Sequence, residues 1–560
     1  MVAMTRTPLF LLAALGALSL GTLAGCDSGF GGEAFGNAAP DTELSVRSVD
    51  LREDLGNRRL VSTVVLAWSG VDPDGVVVGF DVRAYSIDAG QPTPGPEEGW
   101  TRTTRRDSTI LLPIPLGQRT GDVAVEVRAV DNDGALDETP ARTVFPIINS
   151  NPSFRLTAAE APPDTTWPVL SFAFAASDPD GAANLAGIEI ALNDSTGTFA
   201  RIPADATFVT LVAEDPSASV TGARIFIGRG FQNAEVTLPG LRLDDDNTVY
   251  LRAVDAAGAT SRLATYPDAD GGGVLFVRRV TSPVLLVNDI RSNTATSDTR
   301  PLGVAREALA LHGTLTYDVW DLSRTPLLAS SPQTSAALPR TADPTLRQTL
   351  ALWSRIYWVS NAVTNSTAGN NLPLVATVTD RFFEQGGRLL VQTPITRPLS
   401  GDEGEQNPAI DLLPMSGLSS FTQDGTRVLT LRAPTGTAVS PAQPIPSTGA
   451  TLPPLVAAGF LTTTLPYDVG PDDVPLLTMP FTAVLVGNTQ VPWTGSQVVA
   501  SIGSNGRTGL FALPLFSGAG PLFAPATPGG PGPAAALAAM LDGLSFPTTT
   551  RPAGRLASRR

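Results

Sequence analysis

The chain has 560 residues, a formal net charge of −15, a mean hydropathy of +0.10, 53 glycines and 49 prolines. That length suffices for about three or four domains, and the turn-rich composition favours strands over long helical bundles. The acidity excludes nucleic acid as a partner. Every basic side chain is arginine, with one His and one Cys, which excludes lysine chemistry, an intramolecular disulfide and zinc sites built from several Cys or His.

The first predicted element is a leader. Arg6 precedes an apolar run from Leu9 to Leu23, broken only by Gly16, Ser19, Gly21 and Thr22 and too short for a stable membrane span. It ends in Leu23-Ala24-Gly25-Cys26, and this tetrapeptide resembles the lipobox of bacterial lipoprotein signal peptides. The resemblance implies cleavage after residue 25, a diacylglyceride on the Cys26 thiol and a protein anchored to the bacterial cell envelope. Two or more acyl chains give lasting anchorage. Removing residues 1–25 deletes one cation and no acid, so the mature charge moves to −16. Residues 26–42, Gly-rich and poor in large apolar groups, read as a tether.

Short apolar runs separated by turns follow. Leu60 to Trp68 and Val76 to Tyr85 read as strands flanking Asp72-Pro73-Asp74-Gly75. In a later strand Val123, Val125, Val127 and Ala129 share one face, with Glu126 and Arg128 on the other. The pattern then returns. Asp178-Pro179-Asp180-Gly181 matches the first turn, and Leu251-Arg252-Ala253-Val254-Asp255 matches Val127-Arg128-Ala129-Val130-Asp131. Two copies of one signature predict two antiparallel β-sandwiches, over 43–149 and 150–281. They resemble fibronectin type III and related immunoglobulin-like modules, with Trp68 as the core tryptophan of the second strand. Modules of that kind space or bind. Asp72, Asp74, Asp178 and Asp180 are calcium candidates on residue type, but each Asp-x-Asp-Gly supplies two carboxylates where calcium takes six to eight oxygens. Ordinary turns account for them.

After Pro283 the texture changes. Strands at Val284–Asn288, Tyr317–Leu322, Ile356–Ser360 and Leu389–Gln392 alternate with helices at Arg306–Leu311, Leu346–Trp353 and Val375–Gln385. Alternation of that kind predicts a doubly wound α/β domain over 284–546, with a β-rich insertion at about 400–500. Thr508–Phe516 reads as a returning strand, Ala534–Leu544 as a closing helix and 547–560 as a disordered tail. The order resembles a flavodoxin-like or class I glutamine-amidotransferase-like domain. No catalytic chemistry carries over, because that family's nucleophile is a cysteine and the single cysteine here is at the lipid site.

Ligands of open α/β sheets gather beyond the carboxyl ends of the strands. Those positions hold Asn288, Asp289, Asp321, Ser360, Asn361, Gln392 and Thr393, of which Asp289, Asp321, Ser360 and Asn361 are the ligand-binding candidates. His312, at the end of a helical stretch, reads as a packed or helix-terminal side chain. The expected protein is a non-catalytic envelope lipoprotein without cofactor, contacting the membrane through its lipid and binding an envelope protein or polysaccharide. The alternatives are a carboxylate-dependent glycoside hydrolase, which needs no Cys, His or Lys, and a structural envelope spacer.

Overall fold

The computed structural model describes residues 36–54, 57–88, 90, 92–112, 118–268, 273–290, 300–322, 327–328, 331–335, 338–360, 371–395, 411–418, 422–462, 464–517 and 520–549. The expected leader, Cys26, most of the expected tether, Asn361 and residues 550–560 lie outside them. The chain is strand-rich and forms two compact units. One holds the residues up to Val49 with Val64–Ile110 and Asp122–Phe145; the other holds Asp50–Thr63, Leu111–Gly121 and everything from Pro146 on.

The first unit takes its residues from β1 (Asp41–Asp54), β2 (Asn57–Val71), β3 (Val77–Ser86), β4 (Thr101–Thr103), β5 (Asp107–Leu111), β6 (Thr120–Asp131) and β7 (Ala141–Ile148), apart from the stretches of β1, β2, β5, β6 and β7 that fall in the other unit. Val64, Leu66, Trp68, Phe80, Val125, Val127 and Phe145 form its core, with Trp68 and Phe80 edge to face at 6.3 Å. Trp68 donates its indole N–H to the Arg105 carbonyl at 2.8 Å, as buried indoles usually do. Glu126 and Arg128 occupy the other face of β6 but are nearly as buried as the apolar set. Arg83, the register partner of Glu126, donates to it at 2.6 Å, and Arg128 bonds Asp81 and Glu97. The Trp100 ring covers this polar layer, with Arg83 and Arg128 guanidinium carbons 4.1 and 4.4 Å from its centroid. The folded part also begins earlier than expected. Inside the segment assigned to the tether, Asn37 donates to Asp131 at 2.5 Å and the Ala38 amide to Asp74 at 3.0 Å.

The second unit opens with a sandwich. One sheet runs β14 (Gln232–Arg242), β13 (Val220–Ile227), β12 (Phe208–Ala213), β9 (Val169–Ser177), β8 (Ser153–Leu156). The other runs β11 (Ala200–Ile202), β10 (Leu185–Leu192), β15 (Val249–Asp255), β16 (Ala264–Tyr266). All pairs are antiparallel. Phe172, Leu211 and Ile225 meet Ile188, Ile190 and Leu251 between the sheets.

From Val284 the pairing becomes parallel. β17 (Val284–Asp289) lies between β18 (Asp318–Asp321) and β19 (Arg355–Ser360), and β20 (Arg388–Gln392) follows β19. Part of the 400–500 segment continues this sheet, while Thr422–Gln423, Thr426–Arg432, Thr482–Leu485 and Gln490–Pro492 form a four-stranded sheet of their own. β21 (Asp473–Thr478) pairs with β22 (Val498–Gly503), which pairs antiparallel with β23 (Thr508–Phe511), and β23 joins β20 in parallel. α1 (Arg300–His312) packs on the C-terminal helix Pro533–Gly543.

Two expected helices are shorter than the sequence implies. Leu346–Trp353 is a π-turn at Ala342–Leu346 running into α2 (Arg347–Leu350). Val375–Gln385 breaks into α3 (Leu372–Ala376) and α4 (Asp380–Glu384). Val375, Val378 and Phe382 still share the buried stripe, which explains why apolar spacing alone read as one helix. The strand expected over 508–516 ends at Phe511. Residues 547–549, assigned to the tail, are held in the fold: the Thr549 amide donates to the Gly313 carbonyl and Thr314 Oγ1 to the Pro547 carbonyl, both at 2.9 Å.

The sandwich and the parallel sheet keep separate cores, and Trp167, which precedes the sandwich strand β9, belongs to that of the parallel sheet. Its ring meets Trp353 edge to face at 4.6 Å and Trp320 at 6.3 Å, and Arg278 lies 4.2 Å from its centroid. Arg278 also donates to the Val319 carbonyl at 2.6 Å. Asp318 takes the Thr281 amide at 3.0 Å and the Trp353 indole at 2.9 Å, which secures the segment linking the two halves.

Candidate functional site

Register brings the strand ends to one level. Asp289 pairs with Ser360, and Val359 pairs with Gln392, so Thr393 follows beside Ser360. Side chains alternate along a strand, which places Asp289, Ser360 and Thr393 on one face with Trp358. Gln392 lies on the other, where its Oε1 accepts from the Tyr357 hydroxyl at 2.6 Å and its Nε2 donates to the Pro301 carbonyl at 3.3 Å. Burial pushes the Tyr357 hydroxyl far above the ordinary phenol range.

Asp289 is fully buried. It accepts the backbone amide and the Nδ2 of Asn371, each at 2.6 Å, and the Trp358 indole at 3.2 Å. The carboxylate therefore fastens the start of α3 to the end of β17. Asn288 donates to Asp321 at 3.0 Å, so that candidate carboxylate is also engaged. Ser360 and Thr393 differ. Both hydroxyls are buried, at 3% and 0% exposure, and neither has a hydrogen-bond partner. A buried hydroxyl left unpaired costs about 1–3 kcal/mol, and two such groups meet at adjacent strand ends. Of the four candidates, the structure brings Asp289 and Ser360 together and sets Asp321 one strand away against Asn288. Sequence reasoning missed Asn371 and Trp358, whose link to Asp289 depends on tertiary contact. The only available signal was the Asn-Leu-Pro helix start at Asn371.

The Asp-Pro-Asp-Gly turns carry the same bonds in both copies. Asp72 accepts the Asp74 amide at 3.4 Å, and Asp178 the Asp180 amide at 2.8 Å. Asp74 and Asp180 take the amides of Ala38 and Ser150. Asp131 and Asp255 take side-chain donors from Asn37 and Asn149. Among the described residues no three His, Cys, Asp or Glu side chains converge to hold a metal ion. Among them, too, no helix is long and apolar enough to cross a membrane.

His312 is half-buried. Its Nδ1 donates to Thr314 Oγ1 at 2.8 Å, since the Thr314 proton is committed to the Pro547 carbonyl. Burial lowers its pKa, and Asp542 opposes this. An imidazole depressed in the folded state contributes stability that is complete above the unfolded value of about 6.5 and lost as pH falls through the folded value. The one histidine ring resonance should therefore titrate below about 6.5 in a proton NMR series. A midpoint at or above that of a free histidine would contradict this placement.

No protein-family profile and no curated protein matches the chain. Among solved structures, the fibronectin(III)-like modules of Clostridium thermocellum CbhA are 13% identical, cover 42% of this chain and 94% of their own, and superpose at a TM-score of 0.15. The FN1–FN3 domains of chicken CNTN1 are 11% identical, with 40% and 96% coverage and a TM-score of 0.14. Chitinase ChiA74 from Bacillus thuringiensis is 13% identical, with 40% and 28% coverage and a TM-score of 0.13. Overlap this slight leaves fold and function to be read from the strands and side chains themselves.

Proposed function

We propose that this chain is a non-catalytic, lipid-anchored protein of the bacterial cell envelope. It is held by Cys26, and fibronectin type III-like modules carry a flavodoxin-like α/β domain that binds a partner protein or glycan. The strand order β18-β17-β19-β20-β23 supports the flavodoxin-like reading, because it is the 2-1-3-4-5 order of that doubly wound class. Right-handed crossovers would then put α1 and the C-terminal helix on one face and α2 to α4 on the other. In that order the switch point falls between β17 and β19, at Asp289 and Ser360. The observation that carries the binding reading is the pair of buried, unpartnered hydroxyls at this point. Hydroxyls both donate and accept, which suits a polyol or a peptide amide. A hydrolytic carboxylate must be free to touch its substrate, and the Asp289 oxygens are filled by three donors.

The test is calorimetric titration of the mature protein with envelope polysaccharides and with partners captured from the native envelope. Ser360→Val and Thr393→Val should each weaken the specific interaction about tenfold, the value of one hydrogen bond. Folded protein that binds none of these ligands, or variants that bind as tightly as the parent, would overturn the proposal.

A further inference from the structure

Around the turn that follows β9 in the second sandwich, three buried carboxylates gather with a fault in their hydrogen bonding. Asp178, Asp180 and Asp255 are 8%, 1% and 2% exposed. Asp180 accepts the Ser150 amide at 2.6 Å, and Asp255 accepts the Ala259 amide at 2.7 Å and the Asn149 side chain. Asp178 Oδ1 accepts the Asp180 amide, while Asp178 Oδ2 is buried without a partner. The charged groups acting on Asp178 are Asp180, in its own turn, and Asp255, at the end of β15. Both are negative, and Asn184 adds only a neutral hydrogen bond. Like charges packed out of water cannot all stay ionised.

We propose that Asp178 holds a proton in the folded chain, and that this proton secures Asn149 and Ser150, the segment leading into the second sandwich. The proton comes from solvent, attaches to Oδ2 and removes one of three adjacent negative charges. Burial and the two neighbouring carboxylates act in the same direction, raising the Asp178 pKa. A carboxyl raised in the folded state contributes stability that is complete below its unfolded value and lost as pH rises through the folded one. The joint therefore tightens as the medium becomes acidic. Asp72, its counterpart in the first copy, also has a buried, unpartnered Oδ2, but that residue as a whole is only half-buried. It serves as an internal control.

Thermal unfolding of the full mature chain between pH 4 and pH 8 provides the test. Asp178→Asn, which mimics the protonated acid, should raise the melting temperature of the second unit by about 1–2 °C at pH 7.5, with the gain gone at pH 4. Asp72→Asn should give no such gain. In the unaltered protein, hydrogen exchange corrected for intrinsic rate should show the Ser150 and Asp180 amides better protected at pH 5 than at pH 8, and this needs no variant to fold. Equal destabilisation of Asp178→Asn at both pH values, or protection that rises with pH, would overturn the proposal. So would a calcium-dependent rise in melting temperature at pH 7.5 that Asp178→Asn abolishes, since that would put a metal where the proton is assigned.

Discussion

Replacing Asp289 with alanine is expected to destabilise the second unit by about 4 kcal/mol in urea unfolding. The substitution leaves the Asn371 amide, the Asn371 side chain and the Trp358 indole without an acceptor in a fully buried place. Each buried donor left unpaired costs about 1–3 kcal/mol, and the removed group is a charge that those donors stabilised. Asp289→Asn keeps the shape but turns an amide toward existing donors, so it should fall between parent and alanine. A loss below about 1 kcal/mol for the alanine variant would mean that the carboxylate does not hold α3 to β17.

Trp167→Ala should cost about 3–5 kcal/mol, the range for truncating a buried tryptophan, and should also change the form of the unfolding curve. Trp167 belongs to the core of the parallel sheet although its sequence neighbours build the sandwich. Without it, Trp320 and Trp353 lose an edge-to-face partner and Arg278 loses the ring it covers. Polar links between the two halves remain, including Asp318 on Thr281 and the Thr345 hydroxyl donating to Ser171 at 2.5 Å. The second unit should then unfold in two transitions where the parent unfolds in one. Fluorescence and circular dichroism midpoints that coincide in the variant would show the halves to be joined by something other than Trp167.

These two residues mark where sequence reasoning stopped. The repeat was legible because Val127–Asp131 and Leu251–Asp255 obey the local rules of strand alternation and turn chemistry. Both stretches are strands ending in the expected turns. The ends of β17, β19 and β20 were legible for the same reason, through short apolar runs closing in polar residues. Long-range closure was hidden. Asn371 reaches Asp289 across 82 residues of chain, and no spacing rule anticipates such a pair. Glu126 and Arg128 occupy the face that alternation assigns them, but Trp100, from outside β6, covers that face. Apolar spacing over 375–385 reported burial faithfully and continuity wrongly, because a stripe of buried residues survives a break between two short helices.

The claim on which address and role both rest is the chemistry of Cys26. Intact-mass spectrometry of the protein extracted with detergent from its native envelope tests it directly. The predicted product begins at Cys26 and carries the mass of a diacylglyceride on the thiol. A free sulfhydryl at that position, or a mature chain cut at another bond, would contradict the anchored reading.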